Sequence, residues 1–292
     1  MTKSISKIVV ISLSFIFSTI FLFVFQALAK ENIEDSNNQV NASVTYIPSR
    51  SIEKKAGKIG IVESEVGYGH SLKIFGELPI KLSLNSQYMG IDQSTNSELP
   101  SSLTGVSADI EATFPFLNVQ HLYLDVDAIP SFYGDGWSFE SSGFRIPSRY
   151  TAVYQANDQW TWLGGVEILP KYQDKVFLIF GVIYTPNDHL SINLNPDDSI
   201  ISYSLNDKMT VFLEGRFFLD EFVVERNNAQ DVILRYTETR LGSGIKFKIN
   251  PYSAVSLSTG EVLDNILKYR DSAGKIKIKN GVYFGAEIEV DF

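Results

Sequence analysis

The chain has 292 residues, no cysteine and an acidic balance, with 25 Lys and Arg against 34 Asp and Glu. Without cysteine it has neither a disulfide framework nor an N-terminal lipid-bearing cysteine. A net charge of −9 runs against phosphate binding, which needs clustered bases, so nucleic acid is not an expected partner.

The first 29 residues read as an export signal. Lys3 and Lys7 form a positive start, Ile8 to Phe25 carry no charge, and Ala27-Leu28-Ala29 is a small-x-small triplet. The apolar run exceeds the usual length of about 7–15 residues. It approaches the roughly 20 residues of an uncleaved anchor, which is the competing reading. Ala27 and Ala29 favour cleavage. Both signal lysines would then be lost, leaving 23 bases against 34 acids, a net of −11. Residues 30–39 are polar and aperiodic and read as a flexible arm. The domain division is a signal at 1–29, an arm at 30–39 and one unit at 40–292.

From residue 40 the dominant signal is alternation of period two, the strand period. Segments 40–48 and 57–68 carry it loosely. In 73–84, Ile74, Leu78, Ile80, Leu82 and Leu84 oppose Lys73, Glu77, Lys81 and Ser83. In 105–116, Val106, Ala108, Ile110, Ala112, Phe114 and Phe116 oppose Ser107, Asp109, Glu111 and Thr113. In 121–128, Leu122, Leu124, Val126 and Ala128 oppose His121, Tyr123, Asp125 and Asp127. Segments 146–155 and 158–169 are less clean, and 176–185 is apolar on both faces. Segment 189–195 sets Leu190, Ile192 and Leu194 against His189, Ser191, Asn193 and Asn195. Segments 199–206 and 209–219 follow. In 238–249, Leu241, Ile245, Phe247 and Ile249 oppose Glu238, Arg240, Lys246 and Lys248. After 252–260, a helix is expected around Glu261–Arg270. The last segment sets Val282, Phe284, Ala286, Ile288, Val290 and Phe292 against Gly281, Tyr283, Gly285, Glu287, Glu289 and Asp291.

The connections alternate in length. Gly69-His70-Ser71, Leu117-Asn118, Asn157-Asp158, Pro186-Asn187-Asp188, Asn206-Asp207-Lys208 and Asn250-Pro251 read as tight turns. Residues 49–56, 87–102, 131–145, 220–235 and 261–280 read as long loops, with 170–175 and 196–198 as short exceptions. Short periplasmic turns alternating with long outer loops mark outer-membrane barrels. A soluble sandwich shows the same alternation with its apolar face turned inward. The export signal, the loop rhythm and the final Phe292 separate the two. The expectation is an all-β chain: a single antiparallel transmembrane β-barrel of about 12–14 strands, apolar face outward, in the Gram-negative outer membrane. Phe114, Phe116, Tyr184, Tyr252 and Phe292 are expected near the periplasmic rim. Tyr133, Trp137 and Phe218 are expected at the opposite one.

Two stretches carry a resemblance. Gly285-Ala-Glu-Ile-Glu-Val-Asp-Phe292 resembles the terminal β-signal of bacterial outer-membrane proteins. That implies recognition by the outer-membrane assembly machinery through Tyr283, Gly285, Ile288, Val290 and Phe292. Gly181-Val-Ile-Tyr-Thr-Pro186, Leu190-Ser-Ile-Asn-Leu-Asn-Pro196 and Ile201-Ser-Tyr-Ser-Leu-Asn206 are similar to a porin-like family of Gram-negative outer-membrane barrels without an assigned activity. That family brings no site residues.

The inward face would hold Glu77, Lys81, Asp109, Glu111, Asp125, Asp127, Glu238, Arg240, Lys246, Lys248, Glu287 and Glu289. Asp109 and Asp125 are expected opposite each other, with Glu111 and Asp127 nearby. Such a wall is either a charge-sorting pore or a salt-bridged plug. His121 and His189 are expected to face inward, and the three histidines lack metal-ligand spacing. No nucleophile–base arrangement and no phosphate-cradling loop stands out, so neither enzyme activity nor a cofactor is expected. The expected role is a passive or substrate-selective channel for small solutes with a mild cation preference. The alternatives are a barrel acting through its outer loops and a soluble periplasmic β-sandwich.

Overall fold

A computed structural model describes residues 38–74, 78–94, 99–117, 119–136, 141–196, 198–226, 229–270 and 274–292. The export signal with Ala27 and Ala29, most of the arm, Glu77 and Trp137 lie outside the described residues.

The strands are β1 (Asn38–Ser51), β2 (Lys58–Ile74), β3 (Leu78–Gln93), β4 (Ser102–Pro115), β5 (Leu122–Ala128), β6 (Ser131–Asp135), β7 (Phe144–Arg145), β8 (Ser148–Gln155), β9 (Trp160–Ile168), β10 (Val176–Tyr184), β11 (Leu190–Leu194), β12 (Asp198–Asn206), β13 (Met209–Arg226), β14 (Ala229–Asn250), β15 (Ser253–Tyr269), β16 (Lys275–Lys277) and β17 (Gly281–Asp291). Fourteen of them form an antiparallel ring, β1-β2-β3-β4-β5-β8-β9-β10-β11-β12-β13-β14-β15-β17, which closes when β17 pairs β1. Closure leaves the sheet without a free edge, which is what a strand wall in hydrocarbon requires. The closing seam is backbone-tight: Asn38 N donates to Phe292 O at 3.0 Å and Phe292 N to Asn38 O at 2.9 Å.

Both described termini and the short turns share one end, termed here the terminal end. Outward side chains form an apolar belt. Phe180 is 70% exposed, Leu178 64% and Leu213 58%, and Leu84, Leu241, Leu257 and Phe284 are also exposed. Trp160, Trp162 and Tyr184 stack outside the wall near the terminal end, at 5.8 and 4.0 Å between ring centroids.

At the far end the wall is uneven. β13 and β14 run on together past the ring to Arg226 and Ala229, whereas β11 meets β10 only at residues 182–184. β6 continues from β5 but leaves the wall. It pairs β4 on one side, and Gly134 bridges Val223 of β13 in parallel. The far end is therefore a smaller circuit, β1-β2-β3-β4-β6-β13-β14-β15, closed by β16, which takes the place of β17: β16 pairs β15 at Ile266–Lys268, and Ile278 just after it bridges Ile52 just past β1. The connection 169–175 covers the step between β10 and β13. Gln173 N donates to Glu221 at 3.1 Å, and Arg235 pairs Asp174 at 2.6 Å. Arg270 bonds both Glu221 and Lys171 O.

Several expectations are corrected. Gly69-His70-Ser71 is not a turn; β2 runs through it, and Ile74 faces Leu78 across the hairpin. Glu261–Arg270 is not a helix, because β15 pairs β14 along it to Tyr269. An extra residue near Asp264 (φ 46°) forms a bulge there, so Val262, Asn265 and Leu267 all become buried. Residues 87–93, 220–226 and 229–235 are strand rather than loop. His121 (φ 62°) and His189 sit in turns, not on inward strand positions. Tyr133 and Phe218 pack inside the far end rather than in an outer girdle.

Candidate functional site

The inside of the ring is the candidate site, and it has three layers. The layer at the terminal end is polar. Cross-strand registers place inward residues in two rungs. One runs Ser204, Thr210, Lys246, Ser256, Glu287, Ser43, and the next runs Ser202, Phe212, Gly244, Ser258, Gly285, Thr45. These rungs line a cavity of about 240 Å³. Lys246 Nζ pairs Glu289 at 2.5 Å, with both side chains about a third exposed, so solvent reaches this layer.

On the opposite wall, Glu111 lies directly across from Asp127, and Asp125 faces Thr113. Asp109 instead faces Ser83, so the expected Asp109–Asp125 opposition is corrected by a shift of register. Like charges directly opposed are unfavourable. Two cations flank them: Lys81 faces Glu111, and Arg149 faces Asp127 while pairing Glu167 at 3.3 Å. Lys248 is exposed at the terminal rim. Among the described residues no cluster of acids and histidines could hold a metal ion.

The second layer is a buried ionic network across the lumen. Arg240 on β14 bonds Glu238 beside it and reaches Glu63 on β2 at 2.5 Å. β15, β17 and β1 separate those two strands around the ring, so this pair spans the interior. Tyr236 donates its hydroxyl to Glu238 at 2.5 Å, and Asn265 bonds both. The Arg240 guanidinium lies 4.4 Å from the Phe218 ring centroid and 5.6 Å from that of Tyr283. Tyr283 in turn donates to Glu214 at 2.6 Å, and Glu214 pairs Arg216 at 3.2 Å. Glycines at 242 and 260 leave the room in which the Tyr283 ring lies.

The third layer, at the far end, is a packed apolar plug. Ile47, Ile59, Ile61, Leu103, Phe222, Leu234, Leu267 and Ile278 are each at most 1% exposed and form one cluster. Burial of each such side chain contributes roughly 1.5–3 kcal/mol. The sequence reading missed this layer. Its signal is a change of polarity within one strand phase: Ile59 and Ile61 share the inward face with Glu63 and Glu65, and Leu234 shares it with Glu238 and Arg240.

On the last strand Tyr283, Gly285, Glu287 and Glu289 face the lumen, and Ile288 faces outward. Val290 is buried beside Val40 and Ser253. Phe292 closes the ring on Asn38.

No protein-family model matches the chain, and no curated protein matches it. Among solved structures, an outer-membrane channel from Pseudomonas putida F1 is similar at 9% identity and a TM-score of 0.50, covering 90% of this chain and 97% of that one. The Pseudomonas putida toluene transporter TodX is similar at 9% identity and a TM-score of 0.49, covering 89% and 90%. A Pseudomonas aeruginosa FadL homologue is similar at 10% identity and a TM-score of 0.48, covering 89% and 91%. The first of these carries the architectural likeness, and at such identity no residue's role transfers. The chain has the fold of a closed fourteen-strand outer-membrane β-barrel.

Proposed function

We propose that this chain is an outer-membrane channel for small solutes, substrate-selective rather than a standing open pore. The terminal end faces the periplasm, and conduction requires the far-end plug to move. The observation that carries this reading is a closed ring with a wet, polar lumen stopped at one end by a packed plug above a transverse ion pair. A barrel serving only as a scaffold has no need of a solvent-reached lumen. The plug also favours a second reading, a closed barrel acting through its far-end surface.

Inward acids exceed bases around Asp109, Glu111, Asp125 and Asp127, which supports a mild cation preference. The test is single-channel recording in a planar bilayer under a KCl gradient. The reversal potential is expected to favour K⁺, and Glu111→Gln with Asp127→Asn is expected to reduce that preference. An anion-favouring potential contradicts the charge argument. Absence of current at every voltage contradicts the channel.

We also propose that the last strand directs assembly. Phe292→Asp is expected to leave export intact and to lower the amount of heat-modifiable barrel in the outer-membrane fraction several-fold. Normal levels of the variant there would refute this.

A further inference from the structure

We propose that the cavity at the terminal end is a binding site for one small neutral polyhydroxylated solute, of monosaccharide size. This rests on the channel reading and names its substrate class. Size is the first argument. The cavity measures about 240 Å³ and opens into the lumen, which is room for one compact polar molecule.

The lining is the second argument. Ser43, Thr45, Ser202, Ser256 and Ser258 present hydroxyls from β1, β12 and β15 into one space. A hydroxyl both donates and accepts, so such a set matches a ligand that does the same at many positions. The rungs put these groups side by side: Ser256, Glu287 and Ser43 in one row, and Ser258, Gly285 and Thr45 in the next. A side chain at Gly285 would run into Ser258 Oγ, at 2.5 Å from an added Cβ, so the glycine keeps this row open.

Charge is the third argument. Most ions at the cavity are already matched: Lys246 with Glu289, and Arg216 with both Glu214 and Asp198. An anionic solute would meet no free base there, and Glu287 would repel it. Glu287, which has no ion pair among the described residues, is an acceptor for solute hydroxyls. Phe212 supplies the remaining element. Its ring lies over Gly244, directly across β13–β14, where a larger residue would collide with it. It offers an apolar face to the C–H side of a sugar ring.

The test is calorimetric titration of the detergent-refolded barrel with glucose, galactose and mannitol, with glutamine and gluconate as zwitterionic and anionic probes. Saturable binding of at least one neutral probe is expected, with glutamine and gluconate weaker by about tenfold or more. Thr45→Val with Ser258→Ala removes two hydrogen-bonding groups and is expected to weaken binding about tenfold. Phe212→Leu is expected to weaken it while heat-modifiable mobility is retained. No binding of any neutral probe, glutamine binding as tight as the sugars, or unchanged affinity in the folded Thr45→Val/Ser258→Ala protein would overturn the proposal. Binding without bilayer current would leave this site standing and refute the channel. Current without binding would do the reverse.

Discussion

Replacing Arg240 with alanine is expected to lower the stability of the barrel by about 3–5 kcal/mol, the cost of breaking a buried ion pair from one side. Arg240 is 4% exposed and Glu238 is fully buried. Without the guanidinium, Glu238 and Glu63 would face each other across the lumen with Tyr236 and Asn265 as their remaining partners. The two aromatic faces that hold the cation, Phe218 and Tyr283, would lose their contact as well. The expected result is a lower urea midpoint for the folded form, read by heat-modifiable mobility. Adding Glu63→Gln to Arg240→Ala removes one of the two acids, leaves Glu238 with the buried Arg50 as its opposite charge, and is expected to recover part of the loss. An unchanged midpoint in Arg240→Ala would show that the network contributes nothing to the closed state.

Placing arginine at Phe180 is expected to cost about 2–4 kcal/mol when folding is measured in phospholipid vesicles, the penalty of a base on the lipid face of a barrel. Phe180 is on β10, points away from the lumen and is 70% exposed. In a water-soluble protein such an exposed site would accept arginine at little cost. Ser202→Arg, on the lumen side of β12, serves as the control and is expected to cost much less, because the polar cavity can hydrate it. Equal tolerance at both positions would mean that the outer belt does not face hydrocarbon.

Much of the ring was legible in the sequence because one face repeats every second residue. The run 281–289 and the segments 105–114 and 238–246 have their apolar and polar faces where the alternation put them. The far end was not legible, for physical reasons. Strands that continue beyond the belt need no outward apolar face, and their inward face turns apolar to fill the smaller circuit. Ile59 and Ile61 therefore break the alternation that Glu63 and Glu65 establish. In 261–270, Val262, Leu263, Ile266 and Leu267 have helical spacing, yet β14 offers a ready ladder and the bulge at Asp264 absorbs the extra residue. The pair that closes the lumen, Glu63 and Arg240, lies 177 residues apart. Such a contact follows from ring closure and register, which local periodicity does not fix. The pairing of Glu111 rather than Asp109 with an acid of β5 has the same origin, because the β4–β5 register sets which acids meet.

The most direct measurement is the bilayer current of the native protein beside that of Phe222→Ala/Leu234→Ala. These two residues face each other across β13 and β14 and fill the centre of the plug. Retained heat-modifiable mobility would show that the ring stays closed in the variant. The native barrel is expected to give brief, infrequent openings, and the thinned variant a persistent, K⁺-favouring current. A persistent large current through the native protein would contradict the plug, and silence from the thinned variant at every voltage would contradict the channel.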